Sequence, residues 1–222
     1  MYSKQTYELA KIYATDRNLF NKMKSEGKVT SIESDLMSGN FTDYNFSALA
    51  EELPVFMMGY TPYEPKHGYD GYNGKHYDSS DKYLEVKPQK SYFHYDNNKV
   101  MNKLNGGGAF ADYTLERFKK DKNMGDNLRM VIPGYVEGEL AYIVSFPFNH
   151  PKFMNAIEEK TKDAIQKNKP RNLPGFSHTL YSDCEDLKIE YLAPEGRLNY
   201  MSKFISGPWL KKLRKINNEQ DN

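Results

Sequence analysis

The stretch from residue 127 to 148 constrains the fold more than any other part of the chain. Two runs, 127–136 and 139–148, flank the dipeptide Glu137-Gly138. In the second run Leu140, Tyr142, Val144, Phe146 and Phe148 alternate over the whole length, with a smaller apolar set between them. Side chains two apart share one face of a strand, so this pattern predicts an antiparallel hairpin with a short turn at 137–138. A hairpin this apolar belongs at the centre of a sheet, and the remaining elements must cover it.

The flanking sequence supplies those elements in the order helix, strands, helix, strands, helix. Residues 3–24 read as one helix with Leu9, Ile12, Tyr13, Leu19, Phe20 and Met23 as a broken apolar stripe, ended by Gly27. Ser31 opens a second helix closed by Gly39. Asn45 or Ser47 caps a third through 48–53, which Pro54 stops. Residues 61–65 carry two prolines and read as a loop. Residues 66–89 read as two short strands joined by a polar loop with an Asn73-Gly74 turn, and 91–95 either extends the second strand or begins a loop. Gly106-Gly107-Gly108 precedes Ala109-Phe110-Ala111, a flexible turn into a strand. No lysine and hydroxyl residue follow it as a phosphate loop requires. Thr114 caps a helix with acid early and bases late, and Pro151 opens another running to 167 with Phe153, Ile157 and Ile165 inward. A short strand over 187–192 and a helix over 200–216, interrupted by Gly207-Pro208, complete an α/β (α+β) chain: a central mixed β-sheet flanked by helices. At 222 residues it is expected to form a single domain.

Composition excludes more than it selects. No run is long and apolar enough to span a bilayer, and the first residues lack the apolar core of a signal peptide. The lone cysteine, Cys184, rules out an internal disulfide, fits a cytoplasmic setting and reads as a small, partly buried side chain. With 31 basic against 30 acidic residues there is no global field demanding a polyanion, so charge placement matters more than its sum. Eighteen tyrosines and twelve phenylalanines suit sheet surfaces or stacking platforms. The histidines show no zinc spacing, and no nucleophile elbow is present.

One constellation carries chemistry. Glu85 and Lys87 lie two apart and project from the same face of their strand, and a neighbouring strand can bring Asp70 beside them. Two carboxylates and a lysine on a sheet edge can hold a divalent cation and a polarised water. Gln89 shares their face. Asp78 and Asp81 lie too close to Glu85 to leave room for a separate strand and turn. Alone, the triplet is also compatible with a solvated strand face.

Asp70, the triplet Glu85-Val86-Lys87 and the order of neighbouring elements resemble the PD-(D/E)xK nuclease superfamily, which includes many type II restriction endonucleases. The resemblance covers roughly residues 45–150, with Tyr69-Asp70 in place of the literal Pro-Asp. It implies a restriction-endonuclease-like αβββαβ core with a strand near Phe110, and N-terminal helical and C-terminal basic additions. It implies Mg²⁺, with Mn²⁺ as a substitute, held by Asp70, Glu85 and the Val86 carbonyl. A further carboxylate would come from the preceding helix, Glu52 or, almost equally, Glu51. Lys87 would orient or deprotonate the attacking water and stabilise the anionic transition state. Gln89, Lys169 and Arg171 would contact double-stranded DNA, and loops 60–76 and 167–178 would read its grooves. A palindromic site would require a homodimer. The alternative is a non-catalytic nucleic-acid-binding or phage accessory protein with an aromatic-rich sheet.

Overall fold

The first apolar stripe folds as two helices rather than one: α1 (Lys4–Thr15) and α2 (Arg17–Ser25). Asp16 divides them. Its backbone N–H closes α1 onto the Ile12 carbonyl while its carboxylate caps α2 by accepting the Leu19 N–H at 2.9 Å. The computed structural model describes residues 2–43, 48–63, 68–96, 98–167 and 174–220; the expected caps Asn45 and Ser47 lie outside them. Helix α3 (Ser31–Thr42) starts with a Thr30/Glu33 capping box and continues past Gly39. Helix α4 (Ala48–Met57) runs through Pro54 instead of stopping there. Proline has no N–H for the carbonyl four residues back, and the buried Tyr135 hydroxyl donates to that carbonyl, Ala50 O, at 3.0 Å.

The strands follow: β1 (Thr61–Pro62), β2 (Gly71–Tyr72), β3 (Tyr83–Val86), β4 (Gln89–His94), β5 (Lys99–Met101) and β6 (Gly108–Ala109). Then come α5 (Leu115–Met124), β7 (Leu128–Val136), β8 (Glu139–Pro147), α6 (Pro151–Gln166), β9 (Gly175–Phe176), β10 (Lys188–Leu192), α7 (Glu195–Met201) and α8 (Gly207–Gln220). Residues 61–62 are therefore strand rather than loop. Proline is tolerated there because β1 is an edge strand. Gly207-Pro208 begins α8 rather than interrupting a helix.

Strand β7 is the spine of an eight-stranded mixed sheet. Antiparallel β8 occupies one edge, joined through a turn in which Glu137 (φ 51°) and Gly138 (φ 78°) both take positive φ, the geometry that matches strand twist. Strands β3 and β4 run parallel to β7 along its other edge, in one continuous register from Tyr83↔Leu128 to Ser91↔Val136. The ladder breaks between them. By this register the Lys87 carbonyl faces Pro133, which has no N–H to give it. Antiparallel β2 and β1 extend the sheet beyond β3, β5 lies beside β4, and β10 beside β8. The strand expected near Phe110 is not part of this sheet: β6 pairs with β9 as a separate two-stranded piece.

Each face carries its own core. Helices α1–α4 pack through Tyr7, Tyr13, Phe41, Leu49 and Leu53 onto Leu84, Val86, Val131 and Ile143. Helices α5–α8 pack through Phe118, Phe153, Leu198, Trp209 and Leu213 onto Met130, Ile132, Tyr142 and Phe146. Leu140 lies in the first core and Tyr142 in the second, against the alternation of the sequence. A register shift at Gly134/Tyr135 leaves Ala141 unmatched and turns Leu140 to the other face. Ile165, expected inward, is 48 % exposed, while Thr161 and Ala164 fill the buried positions of α6. No described helix is long and apolar enough to cross a membrane.

Replacing Tyr135 by Phe keeps the ring but withdraws the donor from the Ala50 carbonyl. Urea unfolding should show a loss of about 1–3 kcal/mol, the penalty for a buried unpaired acceptor. An unchanged midpoint would mean that the carbonyl has another donor.

Candidate active site

Successive backbone amides of a strand point to opposite edges, and this sets the site. Lys87 N–H turns toward β7 and donates to the Val131 carbonyl at 2.8 Å. The Val86 amide therefore faces the other way, beyond the point where β2 can pair with it. The pairing Gly71↔Leu84 brings Asp70 level with Glu85, and Asp70 Oδ2 accepts the Val86 N–H at 2.6 Å. The Val86 carbonyl accepts from Lys87 Nζ at 3.1 Å. The same ammonium donates to Glu85 Oε1 at 2.7 Å, and Arg117 Nη2 of α5 donates to Glu85 Oε2 at 3.0 Å. Asp70, Glu85, Val86 and Lys87 thus converge on one sheet edge.

Arg117 is a member that the sequence reading missed. Its Nε donates to Asp121 Oδ1, one helical turn on, at 2.8 Å. Asp121 is 1 % exposed and also accepts from the hydroxyls of Tyr69 (2.9 Å) and Tyr113 (2.5 Å). Tyr69 precedes Asp70, which lies in the bend before β2 rather than on a strand, so one buried carboxylate ties α5 to that bend and, through Arg117, to Glu85 on β3. The only signal in the sequence was an Arg and an Asp four apart on a helix after a Thr cap.

Charge is tightly balanced here. Burial, then the charge of Glu85, push the Asp70 carboxyl up to about 7, opposed by Lys87 and the Val86 N–H. For Lys87 burial opposes the charged form, but Glu85 and Asp70 outweigh it and raise the pKa above that of a free lysine. Lys87 is therefore an ammonium at neutral pH.

Beside these residues opens a cleft of about 650 Å³, lined among others by Glu51, Lys87, Gln89, Lys90, Lys103 and Asn105. Glu51, not the favoured Glu52, reaches it. Glu52 lies on the buried side of α4 and accepts from the Tyr7 hydroxyl, whereas the charge of Glu51 acts on both Asp70 and Lys87. Gln89 lines the cleft with its amide already engaged: Nε2 donates to Asn105 Oδ1 at 2.8 Å, and Oε1 accepts from Asn105 N–H at 3.2 Å and Tyr142 OH at 3.3 Å. The glycine run forms a close approach. A Cβ on Gly108 would come within 2.7 Å of Lys87 Cβ and 2.9 Å of the Phe176 ring. Lys169 and Arg171 lie outside the described residues. Cys184, half-buried with its thiol pushed up by burial, stands apart from the cleft.

Among the described residues no three His, Cys, Asp or Glu side chains gather as a metal cluster. The donor set is two carboxylates and the Val86 carbonyl, with Glu51 on the cleft wall. These are hard oxygens, which fit a hard divalent cation such as Mg²⁺. Neither a scan of protein-family models nor a search of curated proteins returns a match.

A carboxyl whose pKa is raised by folding binds its proton more tightly in the native state, so stability is highest when it is protonated and falls as pH rises. In metal-free protein, Asp70 should reduce stability as pH climbs from 3.8 toward about 7. Denaturant midpoints measured across that range should fall less for Asp70→Asn. Parallel curves would show that burial beside Glu85 does not raise the Asp70 carboxyl.

Proposed function

We propose that the chain is a Mg²⁺-dependent endonuclease cutting double-stranded DNA, with the site architecture of the PD-(D/E)xK nucleases and most simply a type II restriction enzyme acting as a homodimer. One observation carries this reading: Asp70, Glu85, the Val86 carbonyl and the Lys87 ammonium converge at the end of the β2–β3 pair. The surrounding order supports it, with α4 before the pair and α5 leading into parallel β7 after it.

Asp70, Glu85 and the Val86 carbonyl would hold the ion, with Glu51 from α4 as the further carboxylate in place of Glu52. Mg²⁺ bound there supplies a more acidic water and neutralises charge on the scissile phosphate. Without the ion, Lys87 donates to Glu85 and to the Val86 carbonyl, the same oxygens that would hold it. Lys87 would stabilise the pentacovalent phosphate and orient or deprotonate the nucleophile. Arg117 holds the second Glu85 oxygen and fixes the carboxylate plane. Lys103 on the cleft wall would meet phosphates, with Lys169 and Arg171 as further contacts. Gln89 and Asn105 form a prepositioned amide pair facing the substrate.

A second reading, a non-catalytic nucleic-acid-binding protein, is favoured by the ion pairs that already engage both Glu85 oxygens. Plasmid DNA with Mg²⁺ or EDTA separates the two. Metal-dependent fragments support the enzyme, and a retarded but intact plasmid supports the binder. Lys87→Ala should lower cleavage by roughly 10²–10³-fold, the usual loss for one transition-state donor, with DNA binding in EDTA retained. Glu51→Gln should raise the Mg²⁺ concentration needed for half-maximal cutting, whereas Glu52→Gln should not. Full activity in Lys87→Ala would remove the site assignment.

A further inference from the structure

Asn105 lies where the chain returns from β5 to the cleft, and all but one of its polar groups are spent. Its buried neighbour Leu104 is pinned, its N–H donating to the Phe204 carbonyl and its carbonyl accepting from Ser206 N–H, each at 2.8 Å. The Asn105 carbonyl accepts from His178 N–H at 3.2 Å and stands 2.7 Å from His178 Nδ1. The Asn105 N–H donates to Gln89 Oε1 at 3.2 Å, and the Tyr142 hydroxyl donates to the same oxygen. A backbone N–H can only donate, so this bond sets which end of the Gln89 amide is oxygen. Gln89 Nε2 then donates to Asn105 Oδ1 at 2.8 Å, which sets the Asn105 amide in turn. That oxygen is turned toward Gly107, where a Cβ would come within 2.7 Å of it. Only the NH₂ group is left. Among the described residues nothing accepts from Asn105 Nδ2, and the atom is open to solvent on the cleft that Asn105 lines.

This donor shares a wall with Lys87. Lys87 and Gln89 lie two apart in a register continuous along β7, ~7 Å at strand rise. Both stand on the α5–α8 side of the sheet, Lys87 against Gly108 and Phe176 and Gln89 against Tyr142. The wall therefore offers a cation and, about one nucleotide away, a neutral donor with its own oxygen already spent. An adenine edge brings a donor and an acceptor together, and the spent oxygen cannot answer the donor. A guanine edge brings acceptors alone but no charge, whereas the lining carries Lys87, Lys90 and Lys103 against the single acid Glu51. Lys90 adds only field, since its ammonium donates to the Asn40 and Asp43 carbonyls. Anionic acceptors repeated along a chain are the phosphates of a nucleic-acid strand. We propose that Asn105 Nδ2 binds the phosphate next to the scissile one, with Gln89 and His178 as positioning residues. The proposal rests on the nuclease reading for the phosphate at Lys87. It adds a substrate requirement, a second phosphate one nucleotide along the same strand.

The test takes the full chain, with Mg²⁺ or EDTA, and three probes that hold no internal phosphodiester to cut: thymidine 3′,5′-bisphosphate, thymidine 5′-monophosphate and inorganic phosphate. Calorimetry should give the bisphosphate an affinity at least about tenfold above the monophosphate, the lower end of what one hydrogen bond to a charged group contributes. Asn105→Asp keeps an oxygen for Gln89 Nε2 and puts a second oxygen where the donor was. It should keep the wild-type melting temperature and bind the two nucleotides alike. Ala111→Asp places the same charge on the cleft lining away from the amide pair, and it should keep the gap. In NMR spectra the Asn105 side-chain NH₂ signals, identified by their loss in Asn105→Asp, should move as the bisphosphate saturates. Equal affinity for the two nucleotides in the wild type, or a gap that survives in Asn105→Asp, would overturn the subsite. So would inorganic phosphate that moves the Asn105 signals as far as the bisphosphate does, since that marks a site for free anions. Binding as described in a protein that never cuts plasmid DNA would remove the nuclease reading and leave the phosphate contact standing. Metal-dependent cutting with unmoved Asn105 signals would do the reverse.

Discussion

The parallel ladder along Leu128–Val136 fixes the orientation of every group at the candidate site. Because Lys87 N–H is committed to Val131, the Val86 amide must point to the outer edge of β3. A backbone amide left unpaired at a part-buried sheet edge is costly, and β2 is too short to pair with it. Side chains complete the ladder instead. The Asp70 carboxylate takes the N–H and the Lys87 ammonium takes the carbonyl. The acid, the carbonyl and the lysine are therefore held by the same hydrogen bonds that terminate the sheet. That gives rigid support to groups that must be placed within fractions of an ångström to act.

Charge follows from this placement. Two carboxylates at one edge repel each other, and Lys87 and Arg117 compensate from opposite sides of Glu85. Arg117 is in turn fixed by Asp121, a buried acid that two tyrosine hydroxyls and one guanidinium satisfy. The abundance of tyrosine takes on a specific meaning here. Tyr69 and Tyr113 serve Asp121, Tyr7 serves Glu52, Tyr135 serves the Ala50 carbonyl beside Pro54, and Tyr181 serves the Gly106 carbonyl. Each buries a large ring and spends its one donor on a polar group that the fold leaves inside.

Features governed by neighbours along the chain were legible in the sequence. The Glu137-Gly138 turn, the Thr114 cap and Pro151 at the start of α6 each depend on residues within one turn. Features decided by distant groups were not. Pro54 does not stop α4, because a tyrosine 81 positions away replaces the missing donor. Leu140 changes face through a bulge that no alternation reveals, and Asp16 splits a helix by serving both ends at once. At the site, the grouping of Asp70 with Glu85 and Lys87 could be read from strand periodicity. Choosing between Glu51 and Glu52 needed the rotation of α4 against the sheet, and Arg117 needed the crossover that lays α5 over β3.

The three glycines illustrate how local permissiveness becomes a tertiary requirement. A flexible turn would leave Lys87 open to solvent, free to swing its long stem among rotamers. Instead Gly108 lies against the stem at a distance that admits no side chain, and Phe176 closes over the same glycine. The Phe110 ring, two residues on, sits 5.4 Å from the ammonium. With its stem covered, the lysine keeps only its head group in the cleft, between Glu85 and the Val86 carbonyl. A charged group held in this way would lose little freedom on meeting an anionic ligand, so its attraction would act on that ligand rather than on its own ordering.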